Sequence, residues 1–133
     1  AERKFDQPGR NVTTMAFLPG SKAEWWAKLT AATGLHECAF QPGETCTVTV
    51  GNVTVHGRVY AAPKPGYALL EVTELDGSLL ALFAEGFSGQ CALTTTWYLS
   101  GSGSAASSEH PVLAAWKAMF QQLTAATAAG SAI

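Results

Sequence analysis

The chain has 133 residues, 47% of them hydrophobic and only 14% charged, with a formal net charge of -2. That length suits one domain around one core, and so few charges among so many apolar groups exclude an intrinsically disordered chain. There is no basic footprint for a nucleic-acid backbone and no apolar run near the ~20 residues that span a bilayer, so neither nucleic-acid binding nor membrane insertion is expected.

Residues 1–10 are polar, contain Pro8-Gly9 and read as a loose lead-in. The start, Ala1 to Asp6, is charged and carries no apolar h-region, so no signal peptide is visible. Asn11 to Leu18 is rich in β-branched and apolar residues and stops at Pro19-Gly20, the pattern of a first strand. Ser21-Lys22-Ala23-Glu24 has the capping-box form. In that motif the Ser21 hydroxyl accepts from the Glu24 amide and the Glu24 carboxylate reaches back to the Ser21 amide. A helix then carries Trp25, Trp26, Leu29 and Ala32, with Gly34 as its stop.

From Thr45 the period becomes two: Cys46, Val48 and Val50 alternate with threonines. Gly51-Asn52 separates this run from Val53, Val55, Gly57, Val59 and Ala61, which alternate with Thr54, His56, Arg58 and Tyr60. Pro63 to Gly66 reads as a turn, Tyr67 to Leu75 as a strand, and Asp76-Gly77 as a tight hairpin leading into Ser78–Ala84. Phe87-Ser88-Gly89 is a further turn before a last strand, Gln90 to Leu99. Short turns between about five or six strands imply an antiparallel meander. Residues 100–108 are a flexible loop by composition. Ser107 or Ser108 caps the helix that follows, with Glu109 and Pro111 suited to its first turn. Leu113, Trp116, Phe120 and Leu123 share one face of that helix, Val112 and Met119 lie beside them, and residues 125–133 read as a frayed tail.

The chemistry-bearing residues are few. Cys38, Cys46 and Cys91 are odd in number and unpaired in spacing, which points to reduced thiols in a cytoplasmic protein. His36 and Cys38 flank Glu37, but a metal site needs about two more ligands and none stands at a recognisable spacing, so no metal or cofactor is expected. Cys46 and Cys91 fall on the apolar sides of their strands, where a thiol is usually inert. Glu71 is the one weak catalytic candidate. It shares a strand face with Tyr67 and Leu69; were that face the concave one, burial would raise its pKa into an acid–base range, and otherwise it is a surface ion pair. The aromatic set offers a ligand-binding surface: Trp97 on the apolar side of the last strand, Phe83 from its neighbour, Trp116, Met119 and Phe120 from the covering helix, and Trp26 from the first helix. The same residues could equally form a packed core.

A strand, a tryptophan-bearing helix, a meander and a long amphipathic helix follow the order of the START-like superfamily, also called SRPBCC or Bet v 1-like. The nearest resemblance is to its branch that looks like the activator of Hsp90 ATPase C-terminal domain. Phe17 to Thr30 is similar to that branch's strand-to-helix segment, Gln41-Pro42-Gly43-Glu44 to its turn into the second strand, and Val53 to Val59 to its third strand. Leu99-Ser100-Gly101 with Trp116 resembles the end of its last strand and the tryptophan of its final helix. Leu35 to Phe40 departs from the pattern where an aromatic pair is usual, so a second short helix is absent or reshaped there. The resemblance implies a single α+β domain with a helix-grip fold, a curved antiparallel meander wrapped around a long C-terminal helix. Binding of a small hydrophobic molecule or lipid between sheet and last helix is the function expected, with catalysis the lesser expectation. The alternatives it implies are an Hsp90 co-chaperone-like module with a chaperone partner and a polyketide cyclase-type enzyme. A homodimer through a strand edge or the Ala-rich last helix remains open.

Overall fold

The computed structural model describes residues 11–64, 66–75, 77–99 and 111–131. In chain order these form β1 (Asn11–Pro19), α1 (Lys22–Thr33), a 3-10 turn (Leu35–Glu37), β2 (Thr45–Val50), β3 (Val53–Lys64) and β4 (Tyr67–Val72). A second 3-10 turn (Thr73–Leu75), β5 (Ser78–Phe87), β6 (Gln90–Tyr98) and α2 (Pro111–Ser131) follow. The strands make one curled six-stranded sheet in the order β1-β6-β5-β4-β3-β2, antiparallel throughout. β2 to β6 are the expected meander, and β1 joins it beside β6, leaving β1 and β2 as the two edges. α2 crosses the concave side against β1, β2 and β3 and touches α1, which is the helix-grip arrangement.

Local chemistry sets the boundaries of α1. Ser21 Oγ accepts from Glu24 N at 3.1 Å and caps the helix, while the Glu24 carboxylate turns to Lys28 Nζ, 3.2 Å away, rather than closing the capping box. Gly34 ends α1 in the left-handed region at φ 79. Between these stops the helix buries Trp25, Leu29, Thr30 and Thr33, and Trp25 Nε1 donates to Pro19 O at 2.8 Å, tying α1 to the end of β1.

Several boundaries differ from the sequence expectation. β4 stops at Val72 because Thr73–Leu75 curls into a 3-10 turn that puts Leu75 fully inside. β3 runs through the expected turn to Lys64, and its register against β4 shifts between Val59 and Ala61 and again between Ala61 and Lys64. Such bulges bend a strand and re-aim its side chains. The helical backbone of α2 continues past Ala125 to Ser131, where fraying was expected. The lead-in at 1–10 and the loop at 100–108 lie outside the described residues.

The inward side chains alternate along each strand: Val48 and Val50, Val55 and Val59, Leu70 and Val72, Leu80 and Leu82, Leu93 and Trp97. Val112, Leu113, Trp116 and Phe120 of α2 close over them. Trp97 and Trp116 are both fully buried and meet edge to face, their ring centroids 5.4 Å apart at 87°. Each removes about 200 Å² of largely apolar surface from water, at most about 5 kcal/mol of favourable burial. Their polar edges differ. Trp116 Nε1 donates to Thr95 Oγ1 at 2.8 Å, and that hydroxyl in turn shares a hydrogen bond with Thr14 of β1. Trp97 Nε1 has no hydrogen-bond partner, the one such buried side-chain atom among the described residues.

Candidate ligand-binding cleft

The segment joining the first 3-10 turn to β2 is held by its own amides. Cys38 N donates to Leu35 O (2.9 Å), Ala39 N and Gln41 N to the Glu44 carboxylate (3.1 Å each), and Phe40 N to Cys38 Sγ (3.3 Å). Gly43 N donates to Val59 O (2.8 Å) and Glu44 N to Gln41 O (2.9 Å). Pro42 has no amide hydrogen, so every available backbone donor from Cys38 to Glu44 is used. Hydrogen bonds from the Gln41 and Ala39 amides hold the Glu44 carboxyl below its ordinary value. The loop thereby keeps Phe40 at φ 58, a left-handed conformation that strains a bulky residue by about 1–3 kcal/mol.

That conformation delivers the Phe40 ring to Trp26 of α1, centroid to centroid 5.7 Å at 50°. The two rings flank a cleft of about 350 Å³ whose other walls include Gln41, Ala62, Lys64 and Tyr67. The second register shift of β3 carries Lys64 there, opposite Tyr67. Tyr67 packs edge to face on Phe83 (5.4 Å), and Lys64 Nζ lies 5.7 Å from the Phe83 ring centroid. Gly66, at φ 85, lies against the backbone: a Cβ there would stand 3.0 Å from Ala84 O, so the glycine lets the β3–β4 turn close on β5. The cleft thus combines three aromatic side chains with one cation and one amide, and its volume falls in the range of small-molecule sites.

The six residues expected to line a ligand site do not form one cluster. Trp97, Trp116 and Phe120 are packed together in the core and line none of the clefts described here. Phe83 corrects its expected place: it points to the outer face, where it borders a shallow hollow of about 260 Å³ with Tyr67 and Tyr98. Met119 borders a separate opening of about 540 Å³ between the end of α1, Gly51 and α2, lined with Ala32, Ala115 and Leu123. Only Trp26 lies in the aromatic cleft. Glu71 is on the outer face too, 3.3 Å from Arg58 in an ion pair beside the His56–Glu74 pair (Nδ1 to Oε2 2.6 Å). Burial works to raise the Glu74 carboxyl, but hydrogen bonds from the His56 amide and ring outweigh it and hold the pKa low. His36 and Cys38 sit at a 3-10 turn, not on a strand, and no cluster of three metal-ligating side chains exists among the described residues. Among them, too, no helix is long and apolar enough to cross a membrane.

Phe40, Lys64 and Tyr67 were not singled out by sequence reading. The signal nearest to them was the departure at Leu35 to Phe40, which the structure resolves into one 3-10 turn followed by the left-handed Phe40.

No protein-family model matches the sequence, and no curated protein sequence matches it. Solved structures do. The Aha1 dimer from Colwellia psychrerythraea aligns with a TM-score of 0.62 at 12% identity, over 88% of this chain and 95% of that one. A protein from Arthrobacter aurescens aligns with a TM-score of 0.66 at 11% identity, over 90% and 87%. The Polyketide_cyc-like protein from Corynebacterium glutamicum aligns with a TM-score of 0.54 at 14% identity, over 90% and 84%. The chain has the START-like, or SRPBCC, fold. Within that fold α2 is the gripped helix and the Trp97–Trp116 contact is its seat. The aromatic cleft lies to one side, at the flank of α1.

Proposed function

We propose that this START-like domain binds a small ligand with a flat apolar body and an anionic group, in the cleft between Trp26, Phe40 and Tyr67. The observation that carries the reading is Phe40, kept in a left-handed conformation beside Trp26 by a loop whose every available amide is hydrogen-bonded. Strain maintained at an aromatic cleft is the mark of a site whose shape matters. Lys64 supplies the charge that would orient a carboxylate. The expected apolar ligand is thus kept, but its place moves from beneath α2 to the flank of α1. Reduced cysteines favour a cytoplasmic setting.

A matched pair of probes tests this: 2-naphthoate and the neutral 2-naphthylmethanol, titrated while tryptophan fluorescence is read. The expected result is a saturable response to both, naphthoate the tighter, with Lys64→Ala weakening naphthoate by about five-fold and leaving the alcohol unchanged. Absence of saturation, or responses unaltered in Trp26→Leu and Phe40→Ala, would reject the reading.

A second reading, pairing with another copy, draws on the outer face. There Met15 and Phe17 of edge strand β1 are 57% and 63% exposed, and Phe17 meets Phe87 edge to face. The likeness to an Aha1 dimer supports it. Phe17→Lys should convert a dimer to monomer in light scattering; a wild-type monomer at high concentration removes the reading.

A further inference from the structure

Cys38 closes the first 3-10 turn and Cys46 lies on β2, yet both line one cleft of about 200 Å³ with Glu37, Glu44 and Thr47. The two thiols share that cleft and influence one another electrostatically. Cys46 pairs with Gly57 across the β2–β3 ladder, and a Cβ at Gly57 would meet Cys46 Sγ in ordinary contact at 3.7 Å. Cys91 is elsewhere, fully buried on β6. We propose that Cys38 and Cys46 are a modification site, forming a reversible intramolecular disulfide that staples the Cys38–Glu44 loop to β2.

The chemistry needs a two-electron oxidant, a hydroperoxide or a low-molecular-weight disulfide. With a hydroperoxide, the Cys38 thiolate attacks the O–O bond and becomes a sulfenic acid while the other oxygen leaves as water or alcohol. Cys46 sulfur then displaces the hydroxyl from Cys38, its proton leaving with that hydroxyl as a second water. With a small disulfide, the Cys38 thiolate attacks one sulfur and expels the first small thiol to leave a mixed disulfide, and Cys46 then expels the second small thiol from Cys38. Cys38 is the attacking thiol. Burial pushes both thiols up and the Glu44 carboxylate adds to this; hydrogen bonds from the Phe40 amide and from Cys46 offset part of the rise at Cys38, whereas Cys46, beside Cys38, is raised to about 12. The first step is therefore slow at neutral pH, and the second is favoured because the resolving thiol lines the same cleft. The clamp responds to sustained oxidant rather than to trace exposure. Its effect on the cleft rests on the ligand reading above, since the stapled loop carries Phe40; the disulfide itself does not.

The test uses the whole reduced protein, treated with excess oxidised glutathione or hydrogen peroxide, then alkylated and digested with trypsin. Leu29–Arg58 holds both cysteines in one tryptic peptide. The proposal expects this peptide to lose two hydrogens, to regain them with reductant, and to leave Cys91 alkylated. It also expects the oxidised protein to melt several degrees higher, since a cross-link limits the unfolded chain. Overturning results are a disulfide to Cys91 or between molecules, stable oxygen addition at Cys38, or an unchanged peptide while a urea-denatured control oxidises fully. Cys46→Ser gives a second check: Cys38 should then stop at the glutathione adduct, and a disulfide from Cys38 to Cys91 in that variant would refute the specific pairing. The naphthoate affinity of the oxidised form reports on the cleft alone; a linked peptide with unaltered affinity removes the coupling and leaves the disulfide standing.

Discussion

Trp97 and Trp116 allow one term of the core's energy to be isolated. Both are fully buried, they touch each other, and they differ in that Trp116 Nε1 has an acceptor and Trp97 Nε1 has none. Replacing either by phenylalanine loses a similar amount of burial and leaves similar space, about 2 kcal/mol. Trp116→Phe further loses a net hydrogen bond of about 1 kcal/mol, although Thr95 keeps Thr14 as a partner and is not stranded. Trp97→Phe instead removes a buried donor whose lack of a partner costs about 1–3 kcal/mol, so much of the cavity loss is returned. Trp97→Phe should therefore be the milder change by at least about 2 kcal/mol. For a chain of this length that separates the melting points by roughly 7 °C. Urea and thermal unfolding followed by far-UV circular dichroism measure both variants, and equal slopes in urea would confirm that the native and unfolded states are otherwise comparable. A Trp97→Phe protein no more stable than Trp116→Phe would refute the reasoning, because the polar edge would then contribute nothing.

Three further outcomes follow from the loop and the cap. The Glu44 carboxyl is held below its ordinary value of 4.5 by the Gln41 and Ala39 amides. A depressed folded pKa contributes stability that is present above the unfolded value and lost as pH falls through the folded one. Amide exchange at Ala39 and Gln41 should accordingly accelerate as pH falls through the depressed Glu44 value and the acceptor protonates, and Glu44→Gln should show no such pH step. Phe40→Gly relieves the left-handed strain but removes the ring, so it should lose naphthoate binding while costing less stability than a buried phenylalanine normally would; binding retained in this variant would exclude Phe40 from the cleft. Ser21→Ala should destabilise the fold by about 1 kcal/mol through the lost Glu24 amide contact, read as a shift of the urea midpoint.

The architecture was legible because its signals are local. The cap at Ser21, the stop at Gly34, the two-residue period of the threonine–valine strand and the aromatic face of α2 each follow from a few neighbouring residues. The placement of Phe83 and Glu71 was not, because it depends on turn length. A three-residue turn at Phe87-Ser88-Gly89 would pair Gly86 with Gln90 and turn Phe83 toward the core. The actual turn is the two residues Ser88 and Gly89, with φ 49 and 79, and it pairs Phe87 with Gln90. Leu80 then lies opposite Trp97, Leu80 and Leu82 face inward, and Phe83 faces out. β5 is apolar on both faces, Leu79, Ala81 and Phe83 against Leu80, Leu82 and Ala84, so hydrophobic alternation had nothing to say about which set was inside. Glu71 went the same way. The Thr73–Leu75 turn lengthens what reads as an Asp76-Gly77 hairpin, pairs Glu71 with Leu79, and so turns it outward to Arg58.

The cleft was hidden for a related reason. Phe40 and Lys64 reach it through a left-handed residue and a shifted register, both of which break the periodicities by which strands and helices are recognised. The regular parts of this chain place α2 and its two tryptophans in a core that could be read from pattern alone. The irregular parts, Cys38 to Glu44 and Ala61 to Gly66, are where amides, a glycine and a cation place aromatic rings beside a cleft instead of in the core. A fold shared by proteins so different in sequence is under no pressure to keep those two segments alike. On the proposed reading ligand choice rests with them, and substitutions there should change ligand preference while leaving the grip of the sheet on α2 intact.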